Sequence, residues 1–425
     1  MFADAATSQI RSRARIAWCL YDWGNSAFPT VIVTFIFSTY FVTAVASDEV
    51  TGTKQWSWAL SLSGLVIATL SPVCGAIADS TGRCKSWLAL CSTLAIVATG
   101  LLWFVHPTTD SVFWALVVFA LANVGFEMGQ VFYNALLPTI VSPRRFGRLS
   151  GWGWALGYAG GLCCLSIALL VFVEGSPPPF GLDKDLAEHV RVVGPMVALW
   201  FAVFCLPLFL LVSDVGRVDL SMSNALRSGV SSLIATLRRL RDYRQIGWYL
   251  LARVFYVDGM NTMFAFGGIY AAGTFGMTLA EVIGFGIAMN VSAGLGAATF
   301  AWVDDSIGPR RTVVIALSGL IGLGVPLLVI ESKVWFWIIG VSLGVFMGPA
   351  QAASRSLMAH LAPVELRTEM FGLFAFSGKA TCFMGPLILG AVTLATGSQR
   401  MGMTTVVILL AVGLAILFCK VREPS

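Results

Sequence analysis

The sequence predicts an all-α membrane protein with twelve transmembrane helices, and three properties of the chain support this fold class. Of its 425 residues, 57% are hydrophobic and only 12% are charged, whereas soluble domains carry about 25% charged residues. Its mean hydropathy is +0.83. The apolar residues form long runs that do not alternate with polar ones, so they are predicted to be helices rather than the strands of a barrel.

Twelve of these apolar runs are long enough to cross a bilayer, some of them with tilt. The first run continues too far to be the apolar part of a cleavable signal peptide. The predicted spans cover residues 18–46, 56–78, 86–106, 111–140, 150–173, 192–213, 246–273, 279–303, 312–331, 334–361, 370–395 and 401–419.

The Lys and Arg residues between the spans predict the orientation. Roughly 19 fall in loops on the side of the amino terminus, called side A here, and roughly 5 fall on the opposite side, called side B. Because cytoplasmic loops carry an excess of Lys and Arg, side A is predicted to be cytoplasmic. An even number of spans then places both termini in the cytoplasm.

A polar stretch divides the chain into two halves of six spans each. The predicted domains are an amino-terminal bundle at 1–213, a cytoplasmic linker at 214–245 and a carboxy-terminal bundle at 246–425. The linker is predicted to hold an amphipathic helix on the membrane surface. Apolar residues recur there at helical spacing, at Leu226, Val230, Leu233, Leu237 and Leu240.

The two halves contain related loops. Asp79 precedes Gly82 and Arg83 after the second span, and Asp305 precedes Gly308 and Arg310 after the eighth. A tight turn needs Gly, and an Asp can cap the next helix or pair with Arg. Two such loops at equivalent places indicate an internal duplication, as in transporters built from related bundles.

These repeated loops resemble those of the major facilitator superfamily. Longer stretches are similar to its "unknown major facilitator" branch, which is related to fungal vacuolar amino-acid effluxers linked to autophagy. The resemblance extends from about Trp18 to Met401. Its signature stretches are Leu20–Phe28, Phe132–Pro138, Gly153–Tyr158, Asp258–Asn261, Phe266–Tyr270 and Ser354–Met358.

The resemblance implies two pseudo-symmetric six-helix bundles that give alternating access to a solute bound between them, and it does not name the solute. The chain departs from the superfamily pattern at Ala301, where Gly is preferred, so this loop is expected to pack less closely. The fifth span lacks the Gly-Pro pair of superfamily antiporters, which leaves antiport open.

Ionisable residues inside spans are costly and are therefore functional candidates. Glu127, near the middle of the fourth span, is the leading candidate for a proton carrier, because burial disfavours the charged carboxylate. Asp258 and Lys379 lie at mid-span depth and supply the opposite charges that a zwitterionic solute needs. The alternative for Glu127 is a structural partner to a Lys or Arg, and the alternative for Asp258 and Lys379 is a buried ion pair that fixes the register of the helices.

Further polar residues complete the predicted substrate or proton path. Asn261 follows Asp258 by one helical turn, and Asn25 follows Asp22 on one face of the first span. Arg355, in the cytoplasmic half of the tenth span, is expected to pair near the gate. The loop residues of the duplication are expected to latch that cytoplasmic gate, and they are Asp79, Gly82, Arg83, Asp305, Gly308 and Arg310.

The sequence argues against an enzyme, a cofactor or a metal site. The three His residues are His106, His189 and His360, and they form no motif with the nine Cys residues, none of which lies in a CxxC pair. No metalloprotease, nucleophile-elbow or Walker motif is present. Without an ATP-binding motif, transport has to draw on a gradient.

The leading hypothesis is a secondary transporter of a small polar solute such as an amino acid, with efflux as the expected direction and proton coupling left open. The alternatives are a lipid or drug translocase of the same fold and a membrane sensor without net transport. The expected surroundings are a lipid bilayer, specifically a bacterial inner membrane, in which the chain is a monomer. Its expected partner is the solute, with protons left open, and no nucleic acid.

Overall fold

The computed structural model describes residues 2–175, 177, 179–212, 229, 231–235 and 242–424. Within these residues the chain forms helices joined by turns, with no strand. The main helices are α1 (Phe2–Asn25), α2 (Glu49–Thr81), α3 (Cys84–Leu101), α4 (Val112–Ile140), α5 (Phe146–Ile167), α6 (Val193–Leu211), α7 (Arg244–Phe275), α8 (Leu279–Ile307), α9 (Pro309–Leu327), α10 (Lys333–Leu361), α11 (Arg367–Lys379), α12 (Met384–Thr396) and α13 (Gln399–Lys420). Most of the predicted linker at 214–245 lies outside the described residues.

Shorter helical segments extend or connect these helices. The first span continues beyond α1 as wider, π-type turns that start at Phe28 and include Pro29, a residue that cannot donate to the helical ladder. The short segments are Phe28–Phe35, Phe37–Tyr40, Phe41–Val45, Leu102–Phe104, Thr109–Ser111, Pro143–Arg145, Ala168–Val173, Pro179–Gly181, Glu188–Arg191 and Val364–Leu366.

The predicted spans correspond to these helices. Eleven helical segments in the described residues are long and apolar enough to cross a membrane. The remaining predicted span, the seventh at 246–273, is α7, which has 32 residues but carries Arg253, Asp258 and Asn261 and is therefore less apolar. The prediction of an all-helical protein with many membrane spans is confirmed.

The described chain divides into two compact units. Unit 1 contains residues 1–71, 81–140 and 156–220. In it, α1 packs against α6, and α3 packs against α4 and α6. Its core is rich in aromatic residues, with the Tyr133 ring stacked between Trp18 and Tyr21. Glycines on α5 allow α1 to approach closely, since an added Cβ at Gly160 would overlap the Trp23 backbone.

Unit 2 contains residues 72–80, 141–155 and 221–425. It therefore holds the side-A ends of α2 and α5 together with the carboxy-terminal half, whereas the predicted domains follow chain order. In it, α7 packs against α13, and α10 packs against α8 and α9. Glycines again bring backbones together, as where Gly413 of α13 meets Tyr256 of α7.

Candidate functional site

The Asp79 side chain caps the start of α11 within unit 2. Its Oδ1 accepts a hydrogen bond from Thr368 N at 3.0 Å, and its Oδ2 accepts one from Glu369 N at 2.7 Å. These amides belong to the first turn of α11 and have no partner within their own helix. A carboxylate also complements the positive end of the helix dipole. We call this contact the Asp79 cap.

Asp305 makes the equivalent contact with α5. Its Oδ1 accepts a hydrogen bond from Arg148 N at 3.0 Å, and its Oδ2 lies 3.2 Å from Arg148 Nε. The amide of Arg148 lies in the first turn of α5, so the chemistry is that of the Asp79 cap with an added ion pair. We call this contact the Asp305 cap. Each Asp of the duplicated loops thus holds the first turn of a helix distant in sequence.

The other residues of the duplicated loops are two glycines and two arginines. Gly82 and Gly308 have φ of +63° and +96°, values that favour glycine. Arg310 contacts the end of α13 and the tail after it, since its Nη2 donates to Phe418 O at 2.7 Å and its backbone N donates to Glu423 Oε1 at 3.1 Å. Arg83 is partly buried between α2 and α3.

Glycines and a small residue allow the capped helices to approach. At Gly75, an added Cβ would overlap the carbonyl oxygen of Thr368 and lie 2.9 Å from its carbonyl carbon. At Gly151, it would lie 2.5 Å from Ala301 Cβ. The loop at Ala301 therefore packs closely, contrary to the expectation from its missing Gly, because Gly151 on α5 provides the space.

Arg355 is 3% exposed and joins α10 to α5. Its Nε donates to Ser150 Oγ at 2.8 Å, and its Nη2 donates to Ser150 O at 2.8 Å. Ser150 Oγ in turn donates to Ala352 O at 2.7 Å. The guanidinium carbon also lies 5.7 Å from the centre of the Trp154 ring. Ser150 was not predicted as a site residue.

Glu369 is a second residue that the sequence analysis missed. It is fully buried at 0% exposure, its amide donates to Asp79, and its Oε2 accepts a hydrogen bond from Ser232 Oγ at 3.0 Å. Its position in the first turn of a helix could have identified it from the sequence, since acidic residues are favoured there.

A different polar group surrounds an interruption in the eleventh span. The predicted span 370–395 is split into α11 and α12, with a turn at 380–383. Arg253 Nη1 donates to Phe374 O and to Ser377 Oγ near the end of α11. Asp258 Oδ2 accepts a hydrogen bond from Gly385 N at 2.8 Å, at the start of α12.

The remaining predicted path residues occupy four helices. Lys379 is the last residue of α11 and is partly buried, and Asn261 is exposed on α7. Glu127 is partly buried near the middle of α4. On α1, Asp22 and Asn25 are buried next to α5, where an added Cβ at Gly157 would approach Ser26 Oγ to 2.7 Å. The described residues include no group of His, Cys, Asp or Glu that could hold a metal ion.

Removing the charge of the Asp79 cap is expected to have a modest effect. Asp79→Asn keeps one acceptor oxygen but removes the charge, and a lost cap or helix-dipole interaction costs about 1 kcal/mol. We expect a lower unfolding temperature in detergent and slower transport. Asp48→Asn is the control, because Asp48 is an exposed residue whose Oδ1 accepts from Thr51 N in the first turn of the adjoining helix, α2, and contacts no distant helix through this bond. Equal transport in the two variants would contradict a special role for the Asp79 cap.

Comparisons with known proteins agree with this architecture. The family described as "Vacuole effluxer Atg22 like" matches residues 54–423. The MFS-type transporter YxiO of Bacillus subtilis is 26% identical over 420 residues, covering 96% of this chain and 95% of YxiO. Autophagy-related protein 22 of Candida glabrata is 27% identical over 305 residues, covering 63% of this chain and 54% of that protein.

Solved structures show the same fold. The crystal structure of FucP, a major facilitator superfamily transporter in the outward conformation, superposes with a TM-score of 0.75 at 14% identity and covers 97% of this chain and 99% of FucP. This likeness confirms the predicted major facilitator fold, and the relatives are transporters rather than enzymes. The chain therefore belongs to the vacuole effluxer Atg22-like family of major facilitator superfamily transporters.

Proposed function

We propose that the protein is a secondary transporter that exports a small polar solute, an amino acid or a related metabolite, by alternating access. Membership of an effluxer-like family supports the direction. The basic loops of side A support a multi-pass orientation with both termini in the cytoplasm. The expected location is a bacterial inner membrane.

The observation that carries the proposal is the interrupted eleventh span with charged residues around it. Broken helices at mid-membrane often form substrate sites, because their free backbone groups and helix ends can bind polar ligands. Lys379 ends α11 at this break, and Asp258 contacts the start of α12. A translocase for apolar solutes has no need of charges at this depth, where they are costly.

The two caps and Arg355 supply the other part of the mechanism. We assign the cytoplasmic gate to Asp79, Gly82, Arg83, Asp305, Gly308 and Arg310, with Arg355 beside it. The hydrogen bonds of Asp79, Asp305 and Arg355 would have to break when the solute site opens to side A. Each bond holds a helix end without a covalent link, so it can form and break in every cycle.

Energy for transport is proposed to come from an ion gradient, since the sequence contains no ATP-binding motif. The carboxylates that could carry a proton are those of Glu127, Asp22 and Asp258. Each lies within a span, where a proton can bind and leave only when the surrounding helices give it access.

Solute counterflow tests the proposal directly. Proteoliposomes loaded with an unlabelled amino acid should accumulate the same amino acid in labelled form, across at least part of a panel of amino acids and short peptides. Lys379→Met should reduce this exchange strongly, because it removes the cation at the helix break. Lys54→Met is the matched control, since Lys54 lies over the Trp58 ring outside the break.

Two results would contradict the amino-acid proposal. Counterflow that is absent across the whole panel, while labelled lipids or apolar drugs are moved, would favour a translocase of the same fold. Specific solute binding without any exchange would favour a sensor.

A further inference from the structure

The break in the eleventh span has a cause in the sequence. Pro386 has no N–H, and its ring collides with the carbonyl group four residues earlier, at Cys382, if a helix continues through it. The chain accordingly leaves the helix at 380–383 and starts again at Met384. Backbone groups within the turn pair at shorter spacing, as where Met384 N donates to Thr381 O at 2.8 Å.

Helix α7 supplies charged partners to both sides of the break. The Arg253 guanidinium binds the carbonyl of Phe374, and its carbon atom lies 3.5 Å from the centre of the Phe374 ring. Five residues later, Asp258 binds the amide of Gly385. A cation thus lies near the negative end of α11 and an anion at the positive end of α12, which is the favourable arrangement for two helix dipoles.

The Asp258 contact leaves two polar atoms unused. Asp258 is 3% exposed and Thr262, one turn later on α7, is 0% exposed. Asp258 Oδ1 and Thr262 Oγ1 are both buried and have no hydrogen-bond partner among the described residues. A buried carboxylate oxygen without a donor is costly, and so is a buried hydroxyl without a partner.

The same two atoms border Gly385. A Cβ added to Gly385 would overlap Thr262 Oγ1 and would lie 3.2 Å from Asp258 Oδ1. The space between Gly385 and these two atoms therefore cannot admit a methyl group. A proton fits, because it adds no heavy atom.

We propose that Asp258 binds the coupling proton at Oδ1 and that its side chain then turns to donate the new O–H to Thr262 Oγ1, which lies on the same face of α7 one turn later. This inference rests on the proposed transport function and assigns the proton among its three candidate carboxylates. Proton binding neutralises Asp258, so its attraction to the start of α12 weakens while its buried oxygen gains a partner. The position of the break in the eleventh span then depends on whether Asp258 is protonated.

On the helices that contact α7, most ionisable residues lie near the helix ends. α12 carries no ionisable residue, and α13 carries charge only near its ends, where Arg400 donates to Leu328 O and Lys420 lies over the Trp248 ring. On α8 and α10, ionisable side chains are confined to the terminal turns and to Arg355. The full set on the helices that contact α7 is Arg367, Glu369 and Lys379 on α11, Cys382 in the break, Glu281, Asp304 and Asp305 on α8, Lys333, Arg355 and His360 on α10, and Arg400, Cys419 and Lys420 on α13. On α7 itself, Arg253 and Tyr256 are the nearest.

Infrared spectroscopy of the full-length protein in liposomes tests the site without any solute. A pH titration should show a protonated-carboxyl band that disappears in Asp258→Asn and is retained in Glu331→Gln, a control at an exposed loop residue. Thr262→Val should shift the band frequency, because it removes the acceptor of the O–H. An unchanged set of titrating bands in Asp258→Asn would overturn the assignment.

Transport provides the second readout. We expect the ratio of protons moved to solute exchanged to fall to zero in Asp258→Asn, whereas Glu127→Gln keeps a measurable ratio. A normal ratio in Asp258→Asn, or wild-type counterflow with no proton movement, would refute the coupling role. If the wild type shows no counterflow at all, the proposed function fails, and the infrared titration still decides whether Asp258 binds a proton.

Discussion

Replacing Gly75 by alanine is expected to reduce transport by about tenfold or more, since overpacking a close contact costs about 1–3 kcal/mol and about 1.4 kcal/mol corresponds to a factor of ten. The added methyl group would overlap the carbonyl oxygen of Thr368 and lie 3.0 Å from Glu369 Cα. Both neighbours are backbone atoms in the first turn of α11, so they cannot rotate away. The Asp79 cap, only four residues away on α2, would have to lengthen.

Gly64→Ala is the matched control for this prediction. Gly64 lies on the same helix, and an added Cβ there would meet nothing within 4 Å. Because alanine favours a helix over glycine, this variant should be as stable as the wild type or slightly more stable. Counterflow and thermal unfolding are measured on both variants. A Gly75→Ala protein that transports as well as Gly64→Ala would show that the close approach of α2 and α11 is dispensable.

Loss of the Arg355 guanidinium is the second change with a large expected effect. Arg355→Met removes two hydrogen bonds from a charged donor to Ser150, and hydrogen bonds to charged groups contribute about 1.5–3 kcal/mol each. Arg355→Lys keeps the charge but cannot reproduce the paired geometry on Ser150 Oγ and Ser150 O. We therefore expect both variants to unfold at lower temperature and to transport poorly, with Arg355→Lys intermediate.

Two further variants make this prediction specific. Arg400→Met is the control, because Arg400 makes a hydrogen bond to Leu328 O on side B and contacts neither α5 nor Ser150. A double-mutant cycle between Arg355→Met and Ser150→Ala should give a coupling energy well above zero, as expected for residues in direct contact. Additive effects of the two substitutions would contradict a working Arg355–Ser150 contact.

The arrangement of the spans was predictable from the sequence, because the bilayer requires long apolar segments and an uneven distribution of basic residues. A span needs about 20 apolar residues wherever it occurs, and Lys and Arg collect on one side. The twelve runs accordingly correspond to helices, even α7 with its Arg253 and Asp258. The break at 380–383 was not predicted, since hydropathy averages over Gly385 and Pro386 and does not register a missing N–H.

The sequence identified several residues of the candidate site, but it did not identify the groups that these residues contact. Asp79 and Asp305 were identified from the repeated loops, and both cap helices. The helices that they cap, α11 and α5, are distant in sequence, so spacing carried no information about them. The side chain of Arg310 shares the same loop pattern but binds Phe418 O at the end of α13 instead.

The sequence by itself determined the fold class, the number of spans, the charge asymmetry between the two sides and the family, because each of these depends on local composition or on short contiguous motifs. Only the tertiary structure decided which groups meet: Asp79 with the first turn of α11, Arg355 with Ser150, and Asp258 with Gly385. The physical reason is that hydrogen bonds and close packing act over a few ångströms, between residues that the chain separates by more than a hundred positions.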